Sequence, residues 1–221
     1  MRTIRALTIA AAIVAALPSL ATAQYGRGFT DAWFWGVKAG GITLADSGQA
    51  YKQAPEAGVE WLITRTHGGL YISAGQAFFT QQTFVARDPA SADSGSRVVD
   101  VKNLRKLDVA VMGFPGDYQR FHPYAGVGFA LSEAASAVPR GPFSNSGQLA
   151  FATQTIQDSK VGFSPLFIAG GQYRLRLASV FGQATISPAQ KNFILYNGRP
   201  WSFGYEIGLR YNIGTSIDRD H

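Results

Sequence analysis

Between Trp201 and Ile213 every second residue is large and apolar: Trp201, Phe203, Tyr205, Ile207, Leu209, Tyr211 and Ile213. Ser202, Gly204, Glu206, Gly208, Arg210 and Asn212 stand between them. Strand side chains alternate between faces, so this period makes one face greasy and the other polar or bare, whereas a helix would scatter both sets. The same period recurs in residues 33–44, with Trp33, Trp35, Val37 and Ala39 opposite Gly36, Lys38 and Gly40. In 57–65 it sets Val59, Trp61 and Ile63 against Gly58, Glu60 and Thr64, and in 98–113 Leu107, Val109 and Val111 against Lys106, Asp108 and Ala110. It continues through 69–85, 121–132, 161–173 and 177–186, which predicts eight strands in all.

Connection lengths alternate as regularly as the faces. Short turns are predicted around Thr66-His67-Gly68, around Pro115-Gly116-Asp117 and over 174–176; longer connections span 45–56, 86–97, 133–160 and 187–200. Short turns at one end and long loops at the other are the signature of an up-and-down barrel in an outer membrane. Several strands exceed the roughly 9–11 residues needed to cross a bilayer, so the hairpins 69–113 and 177–213 are expected to project beyond it, with Asn197-Gly198 at a tight tip. The 133–160 loop, rich in Ser, Ala and Gly, reads as the longest irregular stretch and as the place where a surface ligand would bind.

Charge orients the faces. With the apolar stripes outward, Lys38, Glu60, Lys106, Asp108, Arg174, Glu206 and Arg210 point inward, where they are expected to pair across the lumen. An eight-stranded barrel has an interior only wide enough for side chains, so such a network would plug it. A soluble, lipocalin-like barrel would reverse the faces. Against that stand the aromatic weight of the stripes, 25 glycines, and a charged fraction of 15%, below the roughly 25% of soluble domains.

The beginning of the chain has a different character. Arg2 and Arg5 precede an apolar run from Ala6 to Leu17, and Ala21-Thr22-Ala23 follows as an A-x-A site. This is a secretory signal layout, with cleavage expected after Ala23. The absence of cysteine excludes a disulfide scaffold and Cys-ligated metal sites. The net charge of +6 forms no contiguous basic patch, so no nucleic-acid partner is expected. Asp88, Asp93 and Asp100 do not follow calcium-loop spacing, and the three histidines have no paired-ligand spacing. No cofactor or metal is expected.

The segment Tyr205-Glu206-Ile207-Gly208-Leu209-Arg210-Tyr211-Asn212-Ile213 resembles the C-terminal targeting strand of bacterial outer-membrane barrels, with Gly208, Tyr211 and Ile213 at its marked positions. Phe121-His122-Pro123-Tyr124-Ala125-Gly126-Val127-Gly128 is similar to an "HPYxGxG" strand of the small outer-membrane β-barrel domain family, which includes the membrane domain of outer membrane protein A and outer membrane protein X. A polar tail from Gly214 to His221 departs from that pattern. The resemblance implies an all-β, eight-stranded transmembrane barrel with outer-membrane lipids and the barrel-assembly machinery as partners. It implies a structural or surface-interaction role, with a narrow channel or transporter as the alternative. Lipid-modifying enzymes among such barrels use a His with Ser and an acid; here His122 has Tyr124, not Ser, two positions on, so no catalytic residue is assigned.

Overall fold

The structure, a computed structural model, describes residues 29–45, 51–85, 97–115, 120–143, 145–188, 192–195 and 201–215. The signal segment, most of the 86–97 connection, the Asn197-Gly198 tip and the tail from Ser216 lie outside the described residues. Eight antiparallel strands follow one another around a closed barrel: β1 (Ala32–Ala45), β2 (Tyr51–Thr64), β3 (Gly68–Val85), β4 (Arg97–Gly113), β5 (Phe121–Pro139), β6 (Val161–Leu175), β7 (Ala178–Pro188) and β8 (Trp201–Thr215). β8 returns to pair with β1, so no sheet edge is left over.

The apolar stripes face outward. Val37, Val111, Val127, Ile207 and Leu209 are each more than half exposed, while Lys38, Glu60, Asp108, Glu206 and Arg210 are buried inside. The lipocalin-like arrangement of the faces is therefore excluded.

Three expectations are corrected. The 133–160 stretch is not irregular: β5 runs on to Pro139, and α1 (Ser146–Ser159) follows. The Asn145 side chain caps α1 by accepting from the Gln148 amide at 2.9 Å, and Gln148, Ala152 and Ile156, four residues apart, form its buried face. Second, β2 starts at Tyr51, which shortens the first long connection and brings Glu56 into the wall. Third, the projecting strands are β3, β4 and β5, at 18, 17 and 19 residues; β7 has only 11 and ends at Pro188, whose missing N–H cannot extend a ladder.

Asn103 reshapes the projecting part. It sits opposite a register shift between Ala77 and Thr80 and adopts a left-handed φ of 58°. Below it Leu104, Lys106 and Asp108 face inward; above it Val101 and Val99 do. This switch of face turns Lys102 outward, leaves Asp100 within reach of Arg140, and lets valines fill the upper interior.

Candidate functional site: the layered lumen

The interior is stacked in three layers. At the short-turn end Phe29 packs beneath the barrel against Phe34, Phe114 and His122, with its ring stacked on the imidazole at 4.1 Å. Leu62, Met112 and Tyr124 continue this layer. At the long-loop end Ile42, Leu44, Phe79, Val99, Val101 and Leu104 pack with Ile156 of α1 and with Ile194 and Leu195. The polar network lies between these two apolar layers.

Glycine positions make the network fit. Gly36 on β1 is directly opposite Glu60 on β2 and Arg210 on β8. A Cβ at Gly36 would lie 2.7 Å from Glu60 Oε1; without one, the two charged side chains meet across β1. Two residues up, Lys38 has Gly58 and Gly208 as neighbours, and two further up Gly40 lies between Glu56 and Glu206. Charge and glycine thus alternate both along and across three strands, which spreads large side chains over a space that could not hold them side by side.

Arg210 is fully enclosed. Its Nε donates to Glu60 Oε1, its Nη1 to Gln172 Oε1 at 2.7 Å, and its guanidinium lies 4.0 Å over the Phe181 ring and 5.2 Å from the Tyr124 ring. Lys38 donates to Glu206 Oε1 at 2.7 Å and to Ser73 Oγ at 3.0 Å, and lies 3.9 Å from Asp108. Lys106 is 3.3 Å from the same Asp108 oxygen. Gln183 joins the halves: its amide donates to Glu206 at 2.5 Å and to the Tyr71 hydroxyl at 3.0 Å, and its oxygen accepts from Tyr124 at 2.9 Å. Lys38, Glu60, Lys106, Asp108, Glu206 and Arg210 each have an opposite charge within 4 Å, the condition for tolerating buried ions, whereas the buried Glu56 carboxylate accepts no hydrogen bond.

Of the seven residues expected in the lumen, Lys38, Glu60, Lys106, Asp108, Glu206 and Arg210 are brought together. Arg174 is not. It has the inward parity but stands at the end of β6, where its Nε donates to the Arg176 carbonyl at 3.1 Å. The residues missed were Glu56, assigned to a loop, and the uncharged Tyr71, Tyr124, Gln172 and Gln183. Glu56, Tyr71, Tyr124 and Gln172 share the parity of lumen glycines on their own strands, the signal that could have found them; Gln183 alternates instead with the outward Gly182. His122 is buried at the short-turn end, against Phe29. Gly208 makes room for the Phe181 ring, Tyr211 lies between Trp35 and Ala178, and Ile213 faces outward. Among the described residues no group of three or more His, Asp or Glu is placed to hold a metal ion.

No protein-family model and no curated protein matches the sequence. Solved structures do match. The crystal structure of Neisserial surface protein A is similar with a TM-score of 0.54 at 10% identity, over 82% of this chain and 97% of that one. The outer membrane protein OprG from Pseudomonas aeruginosa is similar at 0.49 and 14%, over 84% and 98%. Ail, the attachment invasion locus protein of Yersinia pestis, is similar at 0.46 and 10%, over 84% and 100%. Identities this low speak to architecture. The fold is that of the small eight-stranded outer-membrane β-barrels, with closed up-and-down topology and an apolar exterior.

Proposed function

We propose that the chain is an integral outer-membrane barrel, exported by an N-terminal signal cleaved after Ala23, with a structural or surface-interaction role and no catalysis. The observation that carries this reading is the layered lumen, a polar network with an apolar layer on either side, which supports a plugged interior. The strand carrying Gly208, Tyr211 and Ile213 serves recognition by the barrel-assembly machinery. The surface it would offer a ligand is the long-loop end, where β3, β4 and β5 project and α1 covers the opening. Conductance of the refolded protein in a planar lipid bilayer tests the plug. Verified insertion without current is expected, and discrete, reproducible current steps would overturn it.

One observation favours the transport alternative. β6 and β7 stop pairing above Phe167 and Ile186, although β6 starts at Val161. A cavity of about 60 Å³ lies there, lined by Leu104, Lys106 and Ala130 on the lumen side and by Phe163, Pro188 and Trp201 at the wall. A small apolar solute entering the upper lumen would pass sideways at this point. Uptake of such a solute into liposomes, dependent on the barrel and blocked by a disulfide across β6 and β7, is the result this alternative requires.

A further inference from the structure

The charges of the lumen do not balance. Among the described residues the buried charged side chains are Lys38, Lys106 and Arg210 on one side and Glu56, Glu60, Asp108 and Glu206 on the other, so four carboxylates face three cations. The ion pairs account for all but one. Arg210 holds Glu60, Lys38 holds Glu206, and Lys38 and Lys106 share Asp108. Glu56 is left over. It is 4% exposed, neither of its oxygens accepts a hydrogen bond, and among the described residues no lysine or arginine nitrogen comes within 4 Å of it.

The barrel wall explains why. Glu56 pairs with Gly40 on β1 and Ala77 on β3, and its inward neighbours along β2 are Ala54 and Gly58. None of these has a side-chain donor. The carboxylate lies over Gly75, where a Cβ would come within 3.0 Å of Oε1, so β3 brings no charge to it either. The charges that act on Glu56 are Lys38 of β1 and Lys106 of β4, which attract it, and Asp108 of β4 and Glu206 of β8, which repel it. Both lysines already serve the two repelling carboxylates.

A second atom of the same polar layer points to a missing partner: Asp108 Oδ1 also accepts no hydrogen bond, on a side chain that is 1% exposed. A buried ion without a counter-charge is costly enough that such a site takes up a neutralising charge instead. Ordered water would supply hydrogen bonds but not that charge. One negative charge in excess calls for one monovalent cation. Divalent ions gather about six or more oxygens, and among the described residues no group of three or more His, Asp or Glu is placed to hold one.

We infer that Glu56 is the binding position of one exchangeable monovalent cation, a proton or an alkali ion, and that the lumen is electrically closed only when this position is filled. The inference rests on the plugged-lumen reading, because an interior open to water would solvate Glu56.

The test is reversible urea unfolding of the refolded chain in phosphatidylcholine vesicles, comparing the parent with Glu56→Gln. Unfolding opens the barrel, so the equilibrium counts a cation held only by the folded state, whatever its route in. One series runs from about pH 5 to about pH 8. The other replaces choline chloride with sodium or potassium chloride at fixed pH and ionic strength. An unfolded glutamate loses its proton at about pH 4.3. With a proton in the folded site, each unit rise in pH above that value lowers the parent's folding constant about tenfold relative to Glu56→Gln, until the folded site also empties. With an alkali ion there, the parent's folding constant instead rises by up to about tenfold for each tenfold rise in sodium or potassium. A response in the pH series alone assigns the proton, and one in the salt series alone assigns the alkali ion. Parallel behaviour of parent and variant in both series would overturn the inference. Should Glu56→Gln fail to refold, Glu56→Ala, which matches the neighbouring Ala54 and Ala77, takes its place. Conductance of the same sample separates the two readings: parallel series without current overturn the cation site alone, and parallel series with current overturn the plug as well.

Discussion

Replacing Glu60 with leucine removes the carboxylate that accepts from Arg210 while leaving the guanidinium between the Phe181 and Tyr124 rings. Gln172 supplies one dipole at 2.7 Å but no compensating charge. Two unit charges about 4 Å apart attract by about 4 kcal/mol at an effective dielectric of 20, and breaking a buried pair from one side costs about 3–5 kcal/mol. Glu60→Leu should therefore destabilise the barrel by about 3–5 kcal/mol. The double variant Glu60→Leu, Arg210→Met removes both charges and keeps the volume, so it should recover most of that loss. Reversible urea unfolding in lipid vesicles, followed by tryptophan fluorescence and by the gel-mobility shift of folded barrels, gives both values. If Glu60→Leu unfolds at the same urea concentration as the parent, Arg210 is compensated by water or by another group, and the reasoning about a sealed lumen fails. If the double variant is no more stable than Glu60→Leu, the loss came from packing rather than from charge.

Gly36→Val places a branched side chain where Glu60 and Arg210 meet, so it should cost about 1–3 kcal/mol or more in the same unfolding assay. Asn103→Val forces a β-branched residue into a left-handed φ and should cost about 1–2 kcal/mol, with faster amide exchange in β3 and β4 above residue 103 and little change below. Ile156→Asp should undock α1 from the upper apolar layer at about 2–5 kcal/mol, seen as protease cleavage within residues 140–160 of a barrel that is still folded. Asp100, in the projecting part of β4, accepts from Arg140 Nε at 2.5 Å, and this bond holds its carboxyl below the usual range. The tie is present at neutral pH and is lost as pH falls through that lowered value; Arg140→Gln should move the acid-induced rise in amide exchange near residue 100 to higher pH.

The period-2 pattern was enough to count the strands, find their order and tell the lipid side from the lumen side. Alternation is local: it requires only that each residue point opposite to its neighbour, and outward stripes as long as Trp201 to Ile213 have no other satisfactory solvent. Six of the lumen charges were legible for the same reason. Their partners were not, because pairing depends on register between strands far apart in sequence. Only the closed barrel sets Gly36 between Glu60 and Arg210, residues separated by 150 positions. Glu56 escaped notice because Pro55 and its alanine neighbours read as loop, and β2 extends through them only because β1 offers a ladder. Arg174 has the right parity but the wrong height, which alternation does not encode. The helix in the third connection stayed hidden because its buried face is short and weakly apolar; Ile156 becomes informative once β3, β4 and β5 rise high enough to need a cover. Asn103 shows the same division. Its identity permits a left-handed residue, but the tertiary structure decides that β4 changes face there, because the upper interior is lined by valines and leaves no partner for a buried Lys102.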